Sequence, residues 1–86
     1  MKRLPFRFGV ITIAALDLRP RPDHRTELLS QLLLGEVVRV LQVSRDGRWW
    51  RVENRFDLYR GWIRSWGVVA VSAARARAWA QEARGK

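Results

Sequence analysis

Apolar and polar positions change rhythm several times along the chain, and each change marks an element. Phe8 to Leu16 is an apolar run rich in β-branched residues (Val10, Ile11, Thr12, Ile13), which suits a strand. Both faces of this stretch are apolar, so alternation does not say which side meets the core. From Leu16 to Arg25, Pro20 and Pro22 among polar neighbours forbid helix and favour an extended loop. The run from Thr26 to Leu34 fits two templates. Leu28, Leu29, Leu32 and Leu33 would stripe a helix, whereas Leu28, Ser30, Leu32 and Leu34 would line one face of a strand. Read locally it predicts a short helix, broken at Gly35.

Glu36 to Val43 predicts a strand with Val38 and Val40 on one face. Ser44-Arg45-Asp46-Gly47 predicts a tight turn, because glycine tolerates the positive φ that a hairpin demands. Arg48 to Asn54, Tyr59 to Arg64 and Val68 to Val71 predict three more strands, with Phe56-Asp57-Leu58 as a connector. Short strands separated by turns imply a small barrel or sandwich. Ala73 to Arg84 changes character: it is rich in Ala and Arg, lacks β-branched residues and predicts a helix with Ala76, Trp79, Ala80 and Ala83 on one face. So short a helix needs a surface for Trp79 to pack on: its own barrel, another domain or a second copy. The predicted architecture is all-β, a small barrel of five or six short strands over residues 8–71. A basic segment, 1–7, precedes it and a helical tail, 72–86, follows.

Eighty-six residues allow one small domain. A core of this size leaves little room for a deep catalytic cleft. The absence of cysteine excludes a disulfide scaffold, a thiolate zinc site and a cysteine nucleophile. No apolar run approaches the roughly 18 residues of a membrane span. The opening segment imitates a signal peptide, but its apolar run is interrupted by Gly9 and Thr12 and ends at Asp17 without a small-x-small cleavage site. That leaves location open between envelope and cytoplasm. The net charge is +9, with 15 arginines and only two lysines, Lys2 and Lys86. Residues 1–7, 8–71 and 72–86 each carry +3, so two thirds of the excess lies in the short end segments. A nucleic-acid reader is expected to carry its basic stripe on the folded body. The balance here lowers that reading without removing it.

The order of signals resembles the bacterial SH3 domain. Leu16-Asp17-Leu18-Arg19 followed by Pro22 is similar to its opening L-N-V-R-x-x-P. Leu28 through Val40, with Gly35-Glu36, is similar to its v-x-x-L-x-x-G-E-x-V-x-V stretch. Gly47-Arg48-Trp49-Trp50-Arg51-Val52 resembles G-x-W-x-x-V, and Gly61-Trp62-Ile63 resembles G-W-V/I. The likeness covers about residues 9–71. A narrower likeness, in T-E-L-L-S-Q-L-L-L-G-E and Y-R-G-W-I, is to the SH3 domain that precedes the catalytic domain of NlpC/P60 cell-wall peptidases, which cleave γ-D-glutamyl-diamino acid bonds. The resemblance implies strand over residues 28–34, overriding the local helix. It also implies that the chain is non-catalytic, either a piece of a larger enzyme or a stand-alone relative, because the Cys and His machinery of such peptidases is not in it.

Trp49, Tyr59, Trp62 and Trp66 form either an aromatic shelf for peptides or sugars or simply the closure of a tiny core. The resemblance places Trp49 and Trp62 near the domain's groove. Asp17, Arg19, Arg21 and Asp23 fall on the long first loop. Arg19 is the first choice to grip a carboxylate of a peptidoglycan stem peptide; the alternative is an Asp17–Arg19 pair that only orders the loop. His24 has no set of partners for a metal and reads as solvated loop. No metal or organic cofactor is expected. Trp79 is the candidate interface residue, for a partner catalytic domain or a second copy. The leading function is a module that binds peptidoglycan peptides. The alternatives are a basic barrel that binds nucleic acid through stacking aromatics, and a purely structural docking or self-association domain. The expected inward residues are Leu16, Leu18, Leu28, Leu32, Val38, Val40, Val52 and Ile63.

Overall fold

A computed structural model of the chain describes residues 6–55 and 58–84. The expected basic residues Lys2, Arg3 and Lys86, the Phe56-Asp57 connector and the side chains of Ala80 and Ala83 lie outside what is described. The elements are β1 (Phe8–Ile11), β2 (Ala15–Leu18), β3 (Ser30–Leu33), β4 (Val37–Val43), β5 (Trp49–Asn54), β6 (Arg60–Arg64), a 3-10 turn (Ser65–Gly67), β7 (Val68–Val71) and α1 (Ala73–Arg84). Five strands form one antiparallel sheet in the order β6-β5-β4-β1-β7, and β2 and β3 form a two-stranded sheet. The fold is a small all-β barrel with a short C-terminal helix, as the pattern implies.

The described strands number seven because the first apolar run is two strands, not one. β1 ends where Ile11 donates to Glu36 O and Thr12 donates to Gly67 O. The chain then bends, and β2 leaves to pair with β3, with Leu16 opposite Leu32. This corrects the placement of Asp17 on a loop. Its neighbours Leu16 and Leu18 are buried, and that alternation makes Asp17 a strand residue. Arg19 extends β2 through a backbone bridge to Trp62, so the loop proper starts at Pro20.

Ile11, Leu16, Leu18, Leu32, Val38, Val40, Val52, Ile63 and Val68 make the core, with Phe6, Ile13, Val43 and Trp50 packed against it. Seven of the eight residues expected inside are there. Leu28 is not: it is 48% exposed. β3 begins only at Ser30, so Leu28 precedes the pairing that would turn it inward. The local helix over residues 26–34 is likewise not formed. Only Leu32 of its stripe is buried, and a single inward leucine suits a strand.

Two glycines shape the frame. A Cβ on Gly61 would stand 2.8 Å from Arg19 O and 2.8 Å from Leu18 Cδ1. Glycine there lets the end of β2 cross β6 at backbone distance, and Arg19 and Trp62 exchange hydrogen bonds of 2.9 and 2.7 Å across that contact. Gly35 adopts φ 87°, the left-handed region that favours glycine, in the turn between β3 and β4. Its carbonyl accepts a 2.9 Å hydrogen bond from Trp79 Nε1. Trp79 thus anchors α1 to its own barrel. Ala76 on the same helix is 3% exposed. Ser72 Oγ accepts from Arg75 N at 3.1 Å and caps the helix start.

Gly61→Ala is expected to lower unfolding stability in urea by about 1–3 kcal/mol through overpacking alone; wild-type stability in that variant would remove the close crossing from the account of the fold. Trp79→Phe keeps the ring but loses the bond to Gly35. It is expected to cost about 0.5–1.5 kcal/mol and to speed amide hydrogen exchange in α1 before any other element.

Candidate functional site

One groove, of about 250 Å³, brings together Asp17, Arg19, Trp49 and Trp66 of the expected site. Ala15, Leu16, Asp17, Arg19, His24, Trp49, Arg64 and Trp66 line it. β2 supplies Asp17, the bridge beyond it supplies Arg19, β5 and β6 supply Trp49 and Arg64, and the 3-10 turn supplies Trp66. Trp49 and Arg64 are directly opposed across the hairpin. The Arg64 guanidinium lies over the Trp49 ring at 5.2 Å, within cation–π range. Trp49 is 7% exposed and makes the floor; Trp66, 63% exposed, makes a wall. Of these two rings, then, only Trp66 is open to solvent.

Arg19 is committed to the fold. Its guanidinium donates to Asp17 Oδ2 at 2.9 Å and to Thr26 O at 2.5 Å. Gln31 Nε2 donates to the other oxygen of Asp17 at 3.0 Å. These bonds close the loop from Pro20 to Leu29 against the β2–β3 sheet. Arg64 differs. It enters no ion pair among the described residues, and its Nε is buried without a hydrogen-bond partner. Its positive charge is placed in the groove over the indole of Trp49. Arg64 is the site residue that sequence reasoning missed. The signal was its position two residues after Trp62, which puts both on one face of a strand, but only the hairpin register puts it opposite Trp49.

The loop has its own lock. Arg25 donates to Asp23 through Nε at 3.1 Å, Nη2 at 3.0 Å and its backbone N–H at 2.9 Å. Thr26 Oγ1 and N both donate to Asp23 O. The Arg25 side chain, and then its backbone N–H, pull the Asp23 carboxyl down from 3.8 to about 2. Asp23 and Arg21 are thus loop residues, as expected, but neither lines the groove. His24, read from sequence as solvated, is exposed yet sits on the groove wall. Among the described residues no three His, Asp or Glu side chains cluster to hold a metal.

Trp62 and Tyr59 stand apart from the groove. Trp62 is half-buried and works through its backbone, in the bridge to Arg19. Tyr59 is 54% exposed, just ahead of β6. Trp79 lies across the barrel on Gly35. Among the described residues no helix is long and apolar enough to cross a membrane.

Because its folded value lies below the ordinary one, Asp23 contributes to loop order fully above about pH 4 and loses that contribution as pH falls through about 2. A carbon-detected NMR titration is expected to place the Asp23 midpoint near 2 and to move it back toward 3.8 in Arg25→Ala; an unchanged midpoint in the variant would show that the fork is not its cause.

Comparison with curated proteins finds no match to the chain. A family model described as the bacterial dipeptidyl-peptidase SH3 domain matches residues 18–66, a span that holds Arg19, the Gly61 crossing and the groove from its Arg19 side to Trp66. That span is more than half of the sequence, and with the barrel and its seven strands it establishes that the chain belongs to the family of bacterial SH3 domains.

Proposed function

We propose that the chain is a non-catalytic accessory module that binds peptidoglycan stem peptides beside a cell-wall peptidase domain of the NlpC/P60 type. The bacterial SH3 family is one of non-catalytic modules, which supports the first part of this reading. The observation that carries the second is the groove itself. The Arg64 guanidinium, in no ion pair among the described residues, is held on an indole floor next to an exposed indole wall, in a groove that Asp17, bound to Arg19 and Gln31, also lines. Stem peptides present free carboxylates and amino groups on short aliphatic residues. Arg64 suits the carboxylate, and the rings of Trp49 and Trp66 suit the aliphatic part. An open groove of this size fits a few residues of peptide and predicts weak binding.

The test is a nitrogen-15 NMR titration of the full chain with L-alanyl-γ-D-glutamyl-diaminopimelate, following the indole N–H signals. Those of Trp49 and Trp66 are expected to move saturably, and Trp79 to stay still. Arg64→Gln, checked for unchanged chemical-shift dispersion, is expected to weaken binding about tenfold. Shifts that leave the groove untouched, or that appear only with single-stranded DNA and vanish with salt, would replace this reading with the nucleic-acid one. Concentration-dependent sedimentation without any peptide response would favour the structural role.

A further inference from the structure

A second concavity, of about 430 Å³, lies away from the groove and shares no residue with it. Arg7, Phe8, Arg39, Glu53, Arg55, Leu58 and Ala73 line it. It sits toward the far end of β5: Glu53 is four residues beyond Trp49, about 13 Å along the strand. Phe8, Arg39, Glu53 and Arg60 are successive cross-strand partners, so β1, β4, β5 and β6 bring them into one row on the sheet.

The charges in that row do not cancel. Glu53 is taken by Arg60, whose Nε donates to it at 2.8 Å. Arg7, Arg39 and Arg55 enter no ion pair among the described residues. Arg55 is held 5.4 Å from the centre of the Phe8 ring. Ala73, the first residue of α1, lines the same concavity, and the first turn of α1 holds no acidic residue. The positive end of the helix therefore adds to the three guanidiniums. At the rim, Leu58 is 65% exposed and adopts φ 61°, a left-handed conformation that leucine rarely takes. That geometry leaves a large aliphatic side chain in water beside three cations that enter no ion pair among the described residues.

We propose that this cleft is a docking site for an acidic polypeptide segment that also carries an aliphatic residue. Guanidiniums bind carboxylates through paired N–H groups, and Leu58 and Ala73 supply the apolar contact that a purely electrostatic site would lack. The same features disfavour nucleic acid. Among the described residues a single aromatic ring, Phe8, lines the cleft and Arg55 lies over it, so no run of rings is there for successive bases to stack on. The proposal does not rest on stem-peptide binding, which concerns the other concavity.

The probe is the blocked pentapeptide acetyl-Glu-Glu-Leu-Glu-Glu-amide, titrated into the full chain and followed by amide NMR shifts. Signals of Phe8, Arg39, Arg55, Leu58 and Ala73 are expected to move together and saturably, those of Trp49 and Trp66 to stay in place. Replacing the central Leu of the probe by Gly is expected to weaken binding several-fold. The double variant Arg39→Gln with Arg55→Gln is expected to weaken it about tenfold or more; Arg39→Gln alone, which keeps the Phe8 contact, guards against a folding defect and is expected to weaken it by a smaller factor. Equal binding by the double variant would assign the attraction to the basic chain ends and overturn the proposal. So would tighter binding of a dodecathymidylate at the same signals, or no movement of them with the pentapeptide. Because the stem tripeptide is read at Trp49 and Trp66 and the acidic probe at Phe8 and Leu58, either reading can fail while the other stands.

Discussion

The crossing of β2 over β6 holds this structure together. At Gly61 the two backbones approach to a distance that no side chain could share, and Arg19 and Trp62 exchange hydrogen bonds across the contact. The two-stranded sheet has no other strand bridge to the five-stranded one among the described residues. Leu16, Leu18 and Leu32 enter the core from that smaller sheet and meet Val38, Val52 and Ile63 from the larger. Burial of these side chains is the driving force for folding, and the crossing sets where they meet. It also sets the groove, because Asp17 and Arg19 reach Trp49 and Arg64 only when β2 ends on β6.

The arginines of the body fall into distinct jobs by what surrounds them. Arg19 and Arg25 close the first loop, each on a nearby aspartate, and Arg60 pairs with Glu53. Among the described residues Arg64 and Arg55 each lie on an aromatic ring without an ion pair, and Arg39 and Arg7 at the second cleft have none either. An exposed ion pair contributes little to stability, so the paired arginines matter chiefly for loop geometry. The unpaired ones leave two separated positive sites on a body whose net charge is small. Total charge alone says nothing of this division.

The helix illustrates how short elements survive on a small barrel. Twelve residues of good propensity are marginal in water. Here the tail gains a serine cap at its start, a buried alanine at its fourth residue and a hydrogen bond from Trp79 to a turn carbonyl of the barrel. Trp79 remains 43% exposed after docking. Its polar atom, more than its burial, fixes the helix position.

The strands from Glu36 onward, the Asp46-Gly47 turn, the tail helix and seven of the eight inward residues were legible from the chain itself, because alternation, glycine and β-branching act on neighbours a few residues apart; strand at β3 was implied only by the family resemblance, and the division of the first run into β1 and β2 was not read. The aromatic and arginine candidates were legible by type as well. Which of them share a surface was not. Trp49 meets Arg64 across a hairpin register, Asp17 meets Gln31 across a separate sheet, and Tyr59 and Trp62, near in sequence, fall outside the groove. Leu28 looked like core and lies in solvent because its strand begins two residues later. Local pattern chose the elements from β4 onward; the contact of Gly61 with the end of β2, a long-range event among residues 42 positions apart, decided which side chains became neighbours.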